Sequence, residues 1–541
     1  MKVDFRTISI TDGTKISEIL TSFTESKSDL ILFDENSVIS KPHLELLTDY
    51  PRQTCAALVA PLFEGETRVI GERVVGASSA FHKAGGGNST FIGVMRLSQK
   101  QREAVIAVLE SISSSDIRAN PLDLILVALV RAGVFVSSAQ VTFAPYIRSR
   151  DEKLRSQVKA EIDSLNEARL RLKMANRAND GFFSVFVLRK FSKLFTWAAV
   201  RLRVTPNQIT LISFAIGLLS AYQFSRGGFW SILAGALLLQ LSIIVDCVDG
   251  ELARYTRRFS QLGAWLDAIT DRIKEYLVFF GLAYGAAKDG RDLWIPAMAL
   301  MVFQTFRHLS DYNFARINKV RTTNLPVIDF KQQGDGFVPL KRAKKSRLEF
   351  WAKKAIQFPI GERWLVISAS SVIGGAAFTF TVMPILGLIS IAAVFRSRIR
   401  VTRRWPKERV NKELIDDQLD LFKIRASTNR FDWLEPSLLR ALEGAIIISL
   451  TVLFDLDRPT AFLLLFAIIY GHYDNLYRAL QGKQKPKWLS IAGTFVMGRI
   501  ALLGSFIFFS WPIAPLAWYF GTLFLLLSSL QWISSQKKSE R

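Results

Sequence analysis

The sequence predicts a multi-pass α-helical membrane protein that carries a soluble α/β domain at its N-terminal end. Three observations predict it. Apolar and charged residues are segregated along the chain, apolar runs long enough for a bilayer recur after about residue 205, and basic residues collect in alternate loops. Half of the 541 residues are hydrophobic while 22% are charged, and mean hydropathy is +0.21. A chain with that many charges stays so apolar when the two residue classes are kept apart.

Residues 1–150 have the mixed composition of a soluble domain. DLILFDENSVI reads as a buried strand ending in acidic and polar residues, KPHLELLTDY as a helix, and TCAALVAPLF as a second strand. The opening MKVDFRTISITDGTK has no apolar core, so no cleavable signal peptide is expected and the domain is expected in the cytoplasm. Cys55 and Cys247 are too few and too far apart for a disulfide framework or a zinc site. Residues 151–181 read as a charged helical linker. Phe182–Arg203 combines an apolar face with Arg189, Lys190, Lys193, Arg201 and Arg203, which predicts an amphipathic helix in the membrane interface, with a buried soluble helix as the alternative.

Ten apolar segments follow as candidate spans: Ile209–Ser225, Phe229–Val245, Ile273–Ala287, Leu293–Phe306, Trp364–Phe380, Pro384–Phe395, Leu438–Phe454, Thr460–Tyr470, Trp488–Phe508 and Ile513–Trp532. With the N-terminal domain inside, the outward loops hold little beyond Arg226, Lys288, Arg291 and Arg458. The inward residues 312–363 hold 12 Lys and Arg. That asymmetry is the positive-inside pattern. The net charge of +23 is concentrated beside apolar segments, in KRAKKSR at Lys341–Arg347 and in the eight basic residues of Arg396–Lys412. Such placement predicts contact with anionic lipid headgroups and not with nucleic acid.

The chemistry is expected where the second and third spans meet. Asp246 and Asp249 are three residues apart, Asp267 and Asp271 four, so each pair shares a helix face. The second span is expected to end, and the third to begin, at these pairs. Carboxylates at membrane depth are costly unless paired, and an all-oxygen set without His or Cys selects a hard cation, Mg²⁺ or Mn²⁺. Two divalent ions would clamp a pyrophosphate and stabilise the entering and leaving oxygens of a displacement. Gly250 and Gly263 would let a nucleotide approach the backbone, and Arg254 offers a planar fork to a phosphate.

The spacing D-x2-D-G-x2-A-R-x8-G-x3-D-x3-D, from Asp246 to Asp271, resembles the signature of CDP-alcohol phosphotransferases, and all eight fixed positions match. TPNQIT at Thr205–Thr210 is similar to the segment that opens the family's first membrane helix. The resemblance implies a six-helix membrane core over residues 182–412, followed by about four further helices in a C-terminal membrane domain, 413–541. It implies that Asp246, Asp249, Asp267 and Asp271 hold metal, with Asp271 also serving as the base toward the acceptor hydroxyl. Asp246, Gly250, Ala253, Arg254, Gly263, Asn207 and Thr210 would lie along the CDP moiety. A CDP-linked lipid donor, probed first as CDP-diacylglycerol, a polyol or polyol-phosphate acceptor, release of CMP and a homodimer are implied in the same way.

The whole chain also resembles three-part actinobacterial proteins with an N-terminal nucleotidyltransferase-like domain. Here that domain lacks the Gly-rich phosphate loop followed by Arg. Asp34 stands where such enzymes hold metal, but a strand-end Asp is also a common structural residue. The glycine-rich KAGGGNS after His82 lacks a P-loop Lys. Arg307, His308, Glu362 and Arg363, at helix ends, are candidates for the acceptor site or for structural ion pairs. YGHYDNLYR, Tyr470–Arg478, reads as an interfacial aromatic belt. Two rival readings are a metal-ion transporter using the Asp cluster and a membrane-anchored nucleotidyltransferase.

Overall fold

The structure, a computed structural model, describes residues 5–48, 54–62, 65–70, 72–79, 82, 86–113, 119–175, 181–323, 347–403, 431–481, 483 and 485–540. The basic runs at 341–346 and 404–412, and residues 83–85 of the glycine-rich stretch, lie outside them. The chain divides into two compact units, one within Met1–Asn176 and one in Arg177–Arg321 and Lys345–Arg541.

The first unit is built on a mixed sheet. Its strands are β1 (Phe5–Ile10), β2 (Asp29–Asp34), β4 (Cys55–Pro61), β5 (Thr67–Ile70), β6 (Arg73–Ala77), β7 (Ser89–Leu97) and β8 (Val136–Gln140), in the order β1-β2-β7-β4-β8-β6-β5. Two short strands, β3 (Ser37–Val38) and β9 (Ile147–Arg148), pair separately. β1–β2 and β4–β8 are parallel, and β2–β7 and β4–β7 antiparallel. The continuous apolar runs LILF and CAALVA become β2 and β4, buried on both faces as such runs require. The expected helix at KPHLELLTDY is short, Lys41–Leu44 followed by a 3₁₀ turn at Glu45–Thr48. The buried Arg96 of β7 is paired with Asp29 of β2 at 2.9 Å. Burial pushes the Cys55 thiol up to about 11.

The expected linker is two helices, Glu152–Ser164 and Glu167–Met174, capped by Asp151 and Asn166. In the second unit, a π-helical turn at Ser184–Leu188 leads into the Arg189–Arg201 helix. Phe186, Phe191, Leu194, Phe195 and Trp197 are exposed along it. That exposure excludes the buried-helix alternative.

Every expected span lies on a helix, but only six described helices are long and apolar enough to cross a membrane: Pro206–Arg226, Phe229–Thr256, Ile360–Thr402, Glu435–Leu453, Lys487–Phe508 and Ala514–Gln536. Six helices by length and composition are compatible with the ten expected segments, for two physical reasons. Segments 273–287, 293–306 and 460–470 belong to the helices Gln261–Lys288, Trp294–Thr323 and Arg458–Leu480, whose charged residues are buried against other helices and dilute the apolar signal. Segments 364–380 and 384–395 lie in one helical run, Ile360–Thr402, broken at Gly375 with φ 70° and not at Pro384, which stays helical. Ser370 Oγ donates to Thr379 Oγ1 at 3.0 Å. Nine residues of straight helix would rise about 13.5 Å, so the chain reverses at Gly375 into two arms.

In the second unit, buried apolar residues from Leu188 through Tyr276, Met301 and Ile367 to Phe466 and Trp532 form one large cluster, and Ala199, Ile209, Val245, Val248 and Leu252 form a smaller one. The helices after residue 431 therefore share a core with the helices that carry the aspartates.

Candidate active site

Local sequence sets the helix boundaries that frame the site. Thr205 and Gln208 form a capping box with Pro206 at the first helical position, which places Asn207 and Thr210 in the opening turn of Pro206–Arg226. Phe229–Thr256 does not stop at the first acidic pair. Nothing in DCVDGELARYT breaks a helix, and it ends at Arg257 in the left-handed region with φ 55°. Ser260 then caps Gln261–Lys288, its Oγ accepting from Gly263 N at 2.9 Å. Both acidic pairs therefore sit inside helices, not at their ends as expected.

Oxygens of Asp246, Asp267 and Asp271 lie within 4.8 Å of one another. An octahedral Mg²⁺ with ligands at about 2.1 Å spans about 4.2 Å between opposite oxygens, so small side-chain adjustments close the cluster on a divalent ion. Asp267 accepts no hydrogen bond from any described residue, which leaves its lone pairs for such an ion. Asp249 lies outside the triplet and accepts from Thr210 Oγ1 at 2.5 Å. The donor set is all oxygen and partly buried, and it fits a hard divalent cation.

The sequence reading missed the residue that sits among these carboxylates. Lys274, fully buried, donates from Nζ to Asp246 Oδ1 at 2.6 Å and to Ser213 Oγ at 2.9 Å, and its ammonium is 3.0 Å from Asp271 Oδ1. Ser213 Oγ lies 3.1 Å from Asp246 Oδ1. Gly217 makes room for this lysine, because a Cβ there would meet Lys274 Cγ and Cδ at 2.6 Å. The available signal was the i,i+3 spacing from Asp271, which puts Lys274 on the acidic face.

The candidate nucleotide residues fall into two neighbourhoods. A Cβ on Gly263 would lie 2.7 Å from Asn207 Oδ1, so these two approach closely because Gly263 has no side chain. Arg254 folds back over Gly250, its Nη1 3.1 Å from where a Cβ would stand. Ala253 is half-buried one residue before Arg254.

The four acceptor candidates are all engaged by the protein itself. Arg363 makes a two-pronged pair with buried Glu275, at 3.0 and 3.1 Å. Glu275 also accepts from Arg272 Nη1 at 2.9 Å. Arg307 Nη2 donates to the carbonyls of Phe358, at 2.9 Å, and Gln357. Glu362 accepts from Phe183 N at 3.1 Å. His308 lies against Arg272 and Tyr473.

The reading of Tyr470–Arg478 as an interfacial belt is corrected. Tyr470, His472, Tyr473, Asp474, Tyr477 and Arg478 are all buried, because their polar groups find partners on neighbouring helices. Asp474, for example, accepts from Trp265 Nε1 at 3.0 Å and Ser528 Oγ at 2.6 Å.

In the first unit, Asp34 has its oxygens occupied. It accepts from Arg148 Nε at 2.8 Å, Asn36 N at 2.9 Å and Asn120 Nδ2 at 3.2 Å.

Residues 203–328 match the family model described as CDP-alcohol phosphatidyltransferase. Residues 424–539 match a family of unknown function, DUF5941. The chain is 40% identical over 27% of its length to a "Bifunctional IPC transferase and DIPP synthase" of Archaeoglobus fulgidus, covering 29% of that protein. It is 42% identical over 16% of its length to an "Archaetidylinositol phosphate synthase" of Pyrococcus horikoshii, covering 43% of it. It is 36% identical over 19% of its length to a "Phosphatidylinositol phosphate synthase" of Cutibacterium acnes, covering 48% of it. The chain thus spans less than half the length of each of these relatives. Among solved structures, the inositol-1-phosphate CTP transferase from T. maritima matches at 18% identity over 27% of this chain and 62% of that one, with a TM-score of 0.22.

Proposed function

From the premise that residues 203–328 form a CDP-alcohol phosphatidyltransferase domain, we propose that the protein transfers the phosphate-linked group of a CDP-alcohol to an alcohol acceptor and releases CMP, in phospholipid synthesis. The observation that carries this reading is the Asp246–Asp267–Asp271 cluster, whose oxygens approach within 4.8 Å inside the matched segment. A CDP-diacylglycerol-type lipid is the proposed donor, since the site lies among apolar helices. The names of the relatives favour an inositol phosphate acceptor.

In this reading Asp246, Asp249, Asp267 and Asp271 hold Mg²⁺ or Mn²⁺, which supplies positive charge to the pyrophosphate. Asn207, Thr210, Gly250, Ala253, Arg254 and Gly263 line the CDP moiety. Asp271 takes the proton of the acceptor hydroxyl as its oxygen bonds to the β-phosphorus. The bond from that phosphorus to the CMP oxygen breaks, and CMP leaves with the electron pair. Lys274 holds Asp246 and Asp271 in place by pairing with both. Arg307, His308, Glu362 and Arg363 frame the site, each held by at least one protein contact, while Arg307 Nη1 and Glu362 Oε2 have no hydrogen-bond partner among the described residues and stay open to an acceptor.

The positive-inside asymmetry supports a plasma-membrane protein with the aspartates and the N-terminal domain on the cytoplasmic side. The occupied oxygens of Asp34 speak against metal-dependent nucleotidyl transfer in the first unit. A homodimer is proposed on the family resemblance.

The test is CMP release by purified protein with Mg²⁺, CDP-diacylglycerol and a panel of polyols and polyol phosphates. No CMP with any acceptor, together with divalent-ion flux in proteoliposomes, would replace the enzyme by the transporter.

A further inference from the structure

The Gln261–Lys288 helix presents two different faces to the protein. At about 100° per residue, Asp267, Asp271 and Lys274 share one side, and Trp265 and Tyr276 lie roughly 120–180° around the helix from them. The first side belongs to the aspartate cluster. The second meets the DUF5941 segment, so its contacts cross from one family model into the other. Trp265 Nε1 donates to Asp474 Oδ1 at 3.0 Å, and its ring lies beside Trp532, centroids 6.3 Å apart. Tyr276 OH is 3.0 Å from Tyr473 OH. Gln481 Nε2 donates to the backbone carbonyl of Gln261, the first residue of the helix, at 3.0 Å.

Asp474 is itself immobilised from within the C-terminal segment. It is fully buried. Arg478 Nε donates to its Oδ1 at 2.9 Å, Ser528 Oγ donates to its Oδ2 at 2.6 Å, and Lys485 Nζ lies 3.1 Å from Oδ2. Arg478 is fixed in turn by the Ser528 carbonyl and by Gln531 Oε1, each at 2.6 Å. A carboxylate held in this way is a rigid acceptor. Among the described residues, Trp265 makes the one hydrogen bond that reaches it from outside its own segment.

The placement of these contacts gives them consequence. Gln261 and Trp265 bracket Gly263, which approaches Asn207 closely, and Trp265 stands two residues before Asp267. Asp267 and Asp271 face Asp246 on another helix, and carboxylates at that range repel. Lys274 offsets part of the repulsion. The rest would be relieved by turning the acidic side of the helix away from Asp246. A tryptophan bonded to a rigid acceptor on the far side opposes that rotation, and the Gln481 bond fixes the axial position of the first turn.

We propose that the DUF5941 segment is a platform for the metal site: Asp474, through Trp265, and Gln481, through the Gln261 carbonyl, hold the Gln261–Lys288 helix at the rotation and register that bring Asp267 and Asp271 to Asp246. Both are positioning residues that act through the helix. The proposal rests on the reading of the aspartate cluster as a metal site.

The test titrates Mn²⁺ into the full-length protein in detergent, following free Mn²⁺ by its electron paramagnetic resonance signal, with the unfolding temperature measured alongside. Trp265→Phe keeps a ring beside Trp532 and loses the indole donor. Gln481→Leu removes the bond to Gln261 from a half-buried position. One hydrogen bond shifts an equilibrium by ~2–10-fold, so each variant should weaken Mn²⁺ binding by about threefold and the double variant by ~10-fold. CMP release at limiting Mn²⁺ should fall in step. Tyr470→Phe is the control. It loses a contact with Ser529 Oγ, 2.5 Å away, on the same helix but inside the C-terminal segment. It should lower the unfolding temperature and leave Mn²⁺ affinity as in wild type. A double variant that binds Mn²⁺ within about twofold of wild type overturns the platform whatever its unfolding temperature, as does a loss in Tyr470→Phe equal to that in Trp265→Phe. If Trp265→Phe fails to fold, Gln481→Leu decides alone, by its loss of affinity or by the absence of one. A wild type that binds Mn²⁺ yet releases no CMP refutes the transferase reading, while Mn²⁺ affinity still judges the platform. A wild type that binds no Mn²⁺ removes the metal site and the platform with it.

Discussion

The Nζ of Lys274 lies 2.6 Å from Asp246 Oδ1, and none of the lysine side chain is exposed. A buried ammonium on the same helix as Asp267 and Asp271 changes the electrostatics of the cluster. It offsets part of the carboxylate repulsion before any metal binds, and it holds Asp246 toward Asp271 across two helices. Removing one partner of a buried pair typically costs ~3–5 kcal/mol. Lys274→Met should therefore unfold at a markedly lower temperature in EDTA. Because the site becomes more negative, Mg²⁺ should recover more of that loss than it adds to wild type. Thermal unfolding with and without Mg²⁺ measures both; equal stability of the two proteins in EDTA would refute the role given to Lys274.

Metal removal gives the plainest outcome for the cluster as a whole. Asp267 accepts no hydrogen bond among the described residues, and three carboxylates meet within 4.8 Å, so without a divalent ion a pyrophosphate would meet largely uncompensated negative charge. CMP release should vanish in excess EDTA and return with Mg²⁺ or Mn²⁺. Full turnover under chelation would dismiss the metal mechanism.

How much of this was legible beforehand depended on whether a feature is local. The spacing of Asp246, Asp249, Asp267 and Asp271 follows from helical periodicity, so the acidic face and its hard-cation chemistry could be read directly. The strands at 29–34 and 55–61 were equally plain, being continuous apolar runs. Other features are tertiary. Lys274 looks like an ordinary charge in RIKEY until Gly217 on another helix is seen to accommodate it. Tyr473 and Asp474 look interfacial until the partners Tyr276 and Trp265 appear. The reversal at Gly375 is hidden because apolar residues continue through it, and Pro384 drew the boundary to the wrong place.

Membrane orientation is open to chemical labelling, and burial makes the background simple. The Cys55 thiol, pushed up to about 11 by burial, stays protonated and unreactive at neutral pH; only above that value would it ionise. In a Cys247→Ala background, a cysteine replacing the exposed Arg291 should react with an impermeant maleimide on intact cells. One replacing the exposed Glu110 should react only after permeabilisation. The reverse pattern would put the aspartates on the face opposite to cytoplasmic CDP substrates.

Binding and chemistry should separate between Asp246 and Asp271, although their oxygens share one cluster. Asp246 is held by Lys274 and Ser213, so it is a fixed ligand whose charge the cation site needs. An amide oxygen is a weaker ligand for a hard dication, and Asp246→Asn should weaken Mg²⁺ and CDP-donor binding together. Asp271 lies one turn beyond Asp267 and carries the proposed base function. A hydroxyl is a poor nucleophile unless its proton leaves as the bond forms, and a positioned base accelerates that step by ~10²–10⁴. Asp271→Asn keeps the size and an oxygen toward Lys274 but cannot take the proton. Its kcat should fall by a factor in that range while donor affinity, measured by calorimetry in detergent at fixed Mg²⁺, changes little. Because Asp271 is also paired with Lys274 at 3.0 Å, a general collapse of the cluster is the competing explanation, and it makes a different forecast. Collapse would cost Asp271→Asn its donor binding as severely as Asp246→Asn. Equal losses of donor affinity in the two variants would make Asp271 a metal ligand first and assign the proton to another acceptor.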